Sequence, residues 1–255
     1  MIRISKALST TFSFLVDKIS RLASYARQTA LEQSCLFCNG KCHDKNARLC
    51  DGCSFDLPWN HHCCRQCALP LGTLSNEYSC ADCLSNNPSF DKTIASFKYE
   101  FPIRQAIHLF KYQSKRYTLH TLGPALLETI KEHYTEATLP EVLIPAPMDK
   151  AKRKQRHYNH ALLLARDIGK RIRIPVEAKT LLKTKNTTSQ TGLNKRQRIR
   201  NLKGAFDIVK PVSYRHVALI DDVMTTGATA ESMAKMLLDA GVERVDIWCI
   251  ARTGK

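Results

Sequence analysis

Ten of the chain's eleven cysteines fall between Cys35 and Cys83, and eight of these form four C-x-x-C pairs: Cys35 with Cys38, Cys50 with Cys53, Cys64 with Cys67, and Cys80 with Cys83. Eleven, ten and twelve residues separate successive pairs. A two-residue gap makes a tight knuckle that aims both sulfurs at one ion, and two knuckles joined by a short loop supply the four thiolates that zinc takes in a tetrahedron. One such pair is compatible with redox chemistry, but four in series are hard to read that way. The spacing predicts two structural zinc sites grouped sequentially, Cys35, Cys38, Cys50 and Cys53 on one ion and Cys64, Cys67, Cys80 and Cys83 on the other, with a crossed pairing as the alternative. Cys42, Cys63, His61 and His62 lie close enough to substitute in a knuckle and are read as spare polar residues of the loops.

A disulfide framework would require an exported chain. In residues 1–30 the longest apolar run is Phe12 to Val16, interrupted by Ser13 and ended by Asp17 and Lys18, which is too short for a signal core or a membrane span. The expectation is therefore a zinc protein of the cytoplasm. The same residues set Leu8, Phe12, Leu15, Ile19, Leu22 and Ala26 at helical spacing, an amphipathic helix that packs on the body or a partner, or rests peripherally at the inner face of the membrane. Three regions follow: a helix over 1–30, a double zinc ribbon over 31–90 and a larger domain over 91–255.

Charge is as localised as cysteine. Of the 39 Lys and Arg, seventeen lie between Lys150 and Lys203, opposed only by Asp167 and Glu177, whereas the other 201 residues carry 22 bases and 21 acids. Nearly all of the formal +16 thus belongs to 54 residues. Like charge so concentrated repels itself unless a polyanion offsets it, so the segment is read as anion-binding.

Past the cysteines the apolar pattern changes period. Thr93 to Tyr99 alternates like a strand, Pro102 opens a short helix through Phe110, and Leu119 to Tyr134 is helical in spacing. Val142 to Ile144 is a short buried strand ending in Pro145-Ala146-Pro147, and Asn159 to Ile172 is a helix. His216 to Ile220 is a buried strand, Thr229 to Ala240 a helix closed by Gly241, and Val245 to Ile250 a further strand. Strands alternating with helices of this length define an α/β fold with a mainly parallel sheet, whose ligands bind beyond the carboxyl ends of the strands.

The segment Val217 to Thr229, V-A-L-I-D-D-V-M-T-T-G-A-T, lies at such an end. Thr225, Thr226, Gly227, Ala228 and Thr229 would turn backbone N–H groups and hydroxyls toward a phosphate at a helix N-terminus. Asp221 and Asp222 would accept hydrogen bonds from the vicinal hydroxyls of a ribose. No lysine follows the glycine, so the loop is not that of a nucleoside-triphosphate site.

This stretch resembles the 5-phosphoribosyl 1-pyrophosphate motif of the type I phosphoribosyltransferases. With the four C-x-x-C pairs ahead of it, the Pro145-Ala146-Pro147 turn, Arg153, R-H-Y-N-H at 156–160 and Q-T-G-L-N-K-R-Q-R-I-R-N-L-K-G-A-F at 190–206, the chain resembles the ComF family, including its GntX-like members, from about Cys35 to Arg252. The resemblance implies a double zinc ribbon ahead of a phosphoribosyltransferase-like sheet, and a link to natural transformation through uptake of single-stranded DNA, with a competence helicase or another DNA-uptake component as a further partner. It implies that Asp221 and Asp222 hold the ribose, Thr225 to Thr229 the 5-phosphate, and Arg153 and Arg156 the pyrophosphate with Mg²⁺. Lys152, Lys154, Asn159, Gln190, Arg196, Arg198 and Arg200 become anion or nucleic-acid contacts. Where the family usually has R-G-F-N-Q, this chain keeps Arg156 and Asn159 but replaces the Gly and Gln by His157 and His160, which removes freedom to adopt positive φ.

Transfer from such a donor passes through a cationic sugar while pyrophosphate leaves, so catalysis would be electrostatic placement and needs no enzyme nucleophile. Two functions compete: a binder of the donor and of single-stranded DNA acting in DNA uptake, or an active phosphoribosyltransferase on an unidentified acceptor with no role in DNA handling. Seventeen bases exceed what one donor requires, which favours additional contacts to a nucleic-acid backbone.

Overall fold

The computed structural model describes residues 34–42, 48–72, 78–112, 117–149, 153, 154, 156, 158–184 and 204–254. The N-terminal helix expectation, and Lys152, Gln190, Arg196, Arg198 and Arg200, lie outside the described residues. The chain divides after Asp56 into two compact units, the larger being Leu57–Lys255.

In the first unit, Ser34 bridges Lys41 antiparallel, Cys35 N donates to Gly40 O at 2.8 Å, and Asn39 adopts φ +58° just after the second cysteine of its pair. Cys50 then caps a short helix, α1 (Asp51–Phe55). The larger unit begins with the same device: Cys63 bridges Pro70, Cys64 N donates to Leu69 O at 2.9 Å, Ala68 has φ +52°, and Cys80 caps α2 (Ala81–Asn86). The two cysteine regions are thus copies of one backbone motif. A left-handed residue after C-x-x-C reverses the chain and leaves both sulfurs on the inside of the turn.

The body of the larger unit is a four-stranded sheet of β1 (Lys92–Lys98), β2 (Val142–Pro145), β5 (His216–Met224) and β6 (Arg244–Arg252), in spatial order β1-β6-β5-β2 with every pair parallel. A separate antiparallel pair joins β3 (Leu181–Lys183) to β4 (Phe206–Ile208). The helices are α3 (Ile103–Tyr112), α4 (Tyr117–His133), α5 (His160–Ile172) and α6 (Ala228–Asp239). The expected fold, a mainly parallel sheet flanked by helices and preceded by two cysteine ribbons, is present.

β1 is buried on both faces from Thr93 to Phe97, so it reads as a near-continuous core strand rather than the half-exposed strand that alternation predicted. α3 runs two residues past Phe110, the predicted end. β5 runs on through Asp221 and Asp222 to Met224, so the acids lie within the strand and not beyond it. Pairing with β6 explains this: Asp221 is in register with Cys249, and the ladder continues to Met224 opposite Arg252. The three-residue strands β3 and β4 were not foreseen, since each is too short to show a period.

The core cluster joins Val217, Leu219, Val245, Ile247 and Cys249 of the sheet to Met233, Ala234 and Leu237 of α6, and includes Cys64, Cys67, Cys80 and Cys83. The second cysteine set is therefore part of the hydrophobic core of this unit. Arg252 Nε seals that junction by donating to Cys67 O at 2.9 Å.

Candidate functional site

A cleft of about 300 Å³ opens at the carboxyl ends of β2 and β5, lined by Lys111, Asp149, Arg156, Asp221, Asp222 and Thr225 among others. Because β5 continues through the acids, strand alternation sends them to opposite faces. Asp221 shares the face of Val217 and Leu219, which pack in one cluster with α6; Asp222 takes the other, where Lys111 Nζ of α3 lies 2.8 Å from Asp222 Oδ1. Burial alone would lower the lysine, but the Asp222 charge and hydrogen bond hold the ammonium above its ordinary range. Asp221 has no such ion pair among the described residues. Burial first, and the neighbouring Asp222 charge second, push its carboxyl up to about 7.

The residues of the predicted phosphate loop follow directly. Gly227 adopts φ +80° as N-cap of α6, a left-handed conformation that favours glycine; a Cβ there would also meet Met224 Cε at 2.8 Å, the flexible end of a side chain that could give way. Ala228 N, the first N–H of the helix, lies 3.4 Å from Thr226 Oγ1. Arg252 Nη1 and Thr253 Oγ1 both donate to Thr225 O, tying the loop back to β6. Thr225, Gly227 and Thr229 line the cleft. An anion placed there would meet the open N-terminus of α6.

The turn after β2 forms the opposite wall. Asn159 fixes it: Nδ2 donates to Ala146 O at 2.9 Å, while Oδ1 caps α5 by accepting from Leu162 N at 3.4 Å. Asn159 and Arg156 line the cleft, whereas Arg153 and Lys154 are exposed and are not among its described lining residues. Asp149, nearly buried, faces Lys183 Nζ of β3 at 4.0 Å. Lys111, Asp149 and Lys183 are the residues that sequence reasoning missed. A signal for the first was available: Lys111 stands four residues after Ile107 and eight after Ile103, on the buried stripe of an amphipathic helix, where a cation is costly without a partner.

The eight predicted cysteines gather as two sets, Cys35, Cys38, Cys50, Cys53 and Cys64, Cys67, Cys80, Cys83, each with sulfurs within 4.8 Å of one another. The grouping is sequential, and Cys42, Cys63, His61 and His62 belong to neither set. Cys38 and Cys50 sulfurs lie 3.7 Å apart, and those of Cys67 and Cys80 3.6 Å. Four thiolates about 2.3 Å from one zinc ion would stand about 3.8 Å from each other, so both sets have the dimensions of a tetrahedral zinc site. Although burial opposes ionisation, backbone N–H groups bring the Cys35 thiol down to about 6 and the Cys64 thiol to about 7. In Cys53 and Cys83, burial and the adjoining sulfurs push the thiol up. Each set can thus shed its first proton easily and its last only with difficulty, which a divalent cation in the centre would reverse.

A parallel α/β sheet whose cleft is lined by two adjacent acids and a glycine-capped helix start, preceded in the chain by two cysteine ribbons, defines the class. No family model matches the chain. It is 32% identical over 228 residues to Competence protein F of Haemophilus influenzae, covering 86% of this chain and 96% of that protein. It is 30% identical to the DNA utilization protein YhgH of Escherichia coli O157:H7, over 80% of this chain and 90% of that one. A purine phosphoribosyltransferase from Pyrococcus horikoshii is similar at a TM-score of 0.32 and 20% identity, over 51% of this chain and 70% of that one. The chain belongs to the ComF family and is a competence or DNA-utilization type protein. Among the described residues no helix is long and apolar enough to cross a membrane.

Proposed function

We propose that the chain binds phosphoribosyl pyrophosphate with Mg²⁺ in the cleft and single-stranded DNA along its basic segment, and that it serves in DNA uptake at the cytoplasmic side of the membrane. The observation that carries the donor reading is the pairing of Asp221 and Asp222 with the Gly227 loop at one end of one strand. Carboxylates accept from ribose hydroxyls, and the helix N-terminus just beyond Met224 suits the 5-phosphate. Arg156 on the facing wall adds a guanidinium for pyrophosphate. Mg²⁺ held with the donor beside Asp221 and Asp222 would supply charge neutralisation. Zinc in both cysteine sets would hold the ribbons.

The DNA reading rests on the charge of residues 150–203 and on the names of the relatives. β3 and β4 bracket a stretch with six Lys or Arg and no acid, and the paired residues Lys183 and Phe206, which stand on either side of it in the chain, both line the cleft. A phosphate backbone bound there would extend the anionic ligand of the cleft rather than compete for a different surface.

Calorimetry with phosphoribosyl pyrophosphate and Mg²⁺ tests the donor reading: heat of binding from the wild type, abolished in Asp221→Asn/Asp222→Asn. Absence of heat from the wild type overturns it. For DNA, charge reversal at Arg196, Arg198 and Arg200 should weaken single-strand binding and flatten its salt dependence, by about 0.7 in log–log slope for each phosphate no longer neutralised; unchanged affinity removes that half. Metal analysis should return close to two zinc ions per chain, one for each cysteine set.

A further inference from the structure

Three successive residues at the end of α3 are gripped by the segment that departs from the family pattern. Tyr158 Oη donates to Phe110 O, His160 Nε2 donates to Lys111 O at 3.2 Å, and Arg156 Nη2 donates to Tyr112 Oη at 2.8 Å with its guanidinium 4.4 Å over the Tyr112 ring. The last carbonyls of a helix have no partner within it, so two of these bonds cap α3 from outside. The backbone at Lys111 is thereby fixed, while the four-carbon stem leaves its ammonium free to swing.

That ammonium projects into the cleft and ends on Asp222, with the lysine side chain 21% exposed and the aspartate 8%. Beside it, Arg156 Nε is buried without a hydrogen-bond partner among the described residues. An orphaned buried donor is costly, and an acceptor entering the cleft would offset that cost. One donor of this wall is therefore unsatisfied, and the neighbouring cation is engaged by a carboxylate that a sugar would need.

We propose that Lys111 is a ligand-binding residue of the cleft. Its ammonium neutralises Asp222 while the cleft is empty, and transfers with Arg156 to the phosphoryl oxygens of a phosphorylated sugar when that ligand enters. The transfer releases the Asp222 carboxylate to the sugar hydroxyls. No bond is made or broken; one ion pair is exchanged for another. The inference rests on the donor reading above and adds to it a contact outside the recognised motifs. It also implies that a divalent cation arriving alone must compete with Lys111 for Asp222, so metal and sugar phosphate bind synergistically.

The test uses the full chain. Calorimetry is run with phosphoribosyl pyrophosphate plus Mg²⁺, and separately with Mn²⁺ alone, on the wild type, Lys111→Met and Lys111→Arg, with urea midpoints confirming that each variant is folded. Lys111→Met should lose about 10- to 100-fold in donor affinity, the range for a hydrogen bond to a charged group, and Lys111→Arg should recover most of it. Mn²⁺ alone should bind Lys111→Met more tightly than the wild type. The opposing signs separate ligand contact from a structural role, since a damaged cleft would weaken both. Donor affinity unchanged in Lys111→Met, or Mn²⁺ weakened along with it, overturns the inference while the donor reading stands. A wild type that binds no donor overturns both. Should Lys111→Met fail to fold, Lys111→Gln, which keeps a polar group for Asp222, carries the same expectations.

Discussion

Two nearly buried carboxylates sit on one face of the same sheet, at its opposite ends, and their surroundings differ in kind. At the amino end, Asp246 of β6 is fully buried and accepts from Tyr134 Oη at 2.8 Å, with His216 Nε2 at 2.7 Å and Arg244 Nη2 at 3.1 Å; Trp248 Nε1 in turn donates to Tyr134 Oη at 3.1 Å. Its acceptor capacity is filled by groups that are themselves fixed. At the carboxyl end, Asp222 of β5 is held by one flexible ammonium and opens on a cleft shared with Asp221, a carboxyl that burial and its neighbour keep half-neutral. A filled network specifies a fold, and a perturbed carboxyl beside a single ion pair in a cleft marks a candidate site.

The largest expected effect lies at the filled end. Asp246→Ala leaves a buried phenol, an imidazole and a guanidinium without their acceptor, and should destabilise the larger unit by about 3–5 kcal/mol. Urea unfolding measures it, and a loss below about 1 kcal/mol would erase the distinction between the two ends. Asp222→Asn should cost less, about 1–2 kcal/mol, because Lys111 can turn to the water of the cleft and Asp221 ionises more readily once its neighbour is neutral. Its donor affinity should nonetheless fall far more than its stability. Equal losses of stability at both ends would show Asp222 to be structural.

Much of this contrast was legible in the sequence, and the rest was hidden for identifiable reasons. The spacing of the C-x-x-C pairs pointed to two four-cysteine sets, because a knuckle is a local structure whose ligands are fixed by chain geometry. It could not tell that Cys64, Cys67, Cys80 and Cys83 would be buried in a core with α6, whereas Cys38 is exposed and Cys50 and Cys53 half-buried. That difference depends on contacts such as the one between Cys67 and Arg252, 185 residues apart. The strand–helix order was visible because apolar period is local too. The extension of β5 was not, since Asp has little propensity for strands and only the partner ladder of β6 keeps Asp221 and Asp222 extended. The D-D-x-x-T-T-G pattern pointed to residues that line the cleft, but Lys111 joins them from α3, more than a hundred residues upstream, and is recognisable only as a cation on an apolar stripe.

The smallest effect, and the one that separates the two ends most cleanly, is on pH. For Asp246, burial works against ionisation, but the hydrogen bonds from His216 and Tyr134 and the Arg244 charge hold the carboxyl below its usual range. An acid with a depressed folded value contributes stability above its unfolded value near ~3.9 and loses it as pH falls through the folded one. Asp246 itself should therefore add no pH dependence to stability between about 6 and 8. Asp221 has the opposite sign: raised to about 7, it gains its charge only as pH rises through neutrality. Since the ionised form accepts from sugar hydroxyls and attracts Mg²⁺, donor affinity should rise by up to about tenfold from about pH 6 to pH 8, the full change in ionised fraction across such a value. In Asp221→Asn that rise should vanish while the urea midpoint stays level over the same interval. A pH dependence that survives Asp221→Asn assigns the titration to another group, among which the phosphates of the ligand are the first to check by repeating the titration with inorganic pyrophosphate.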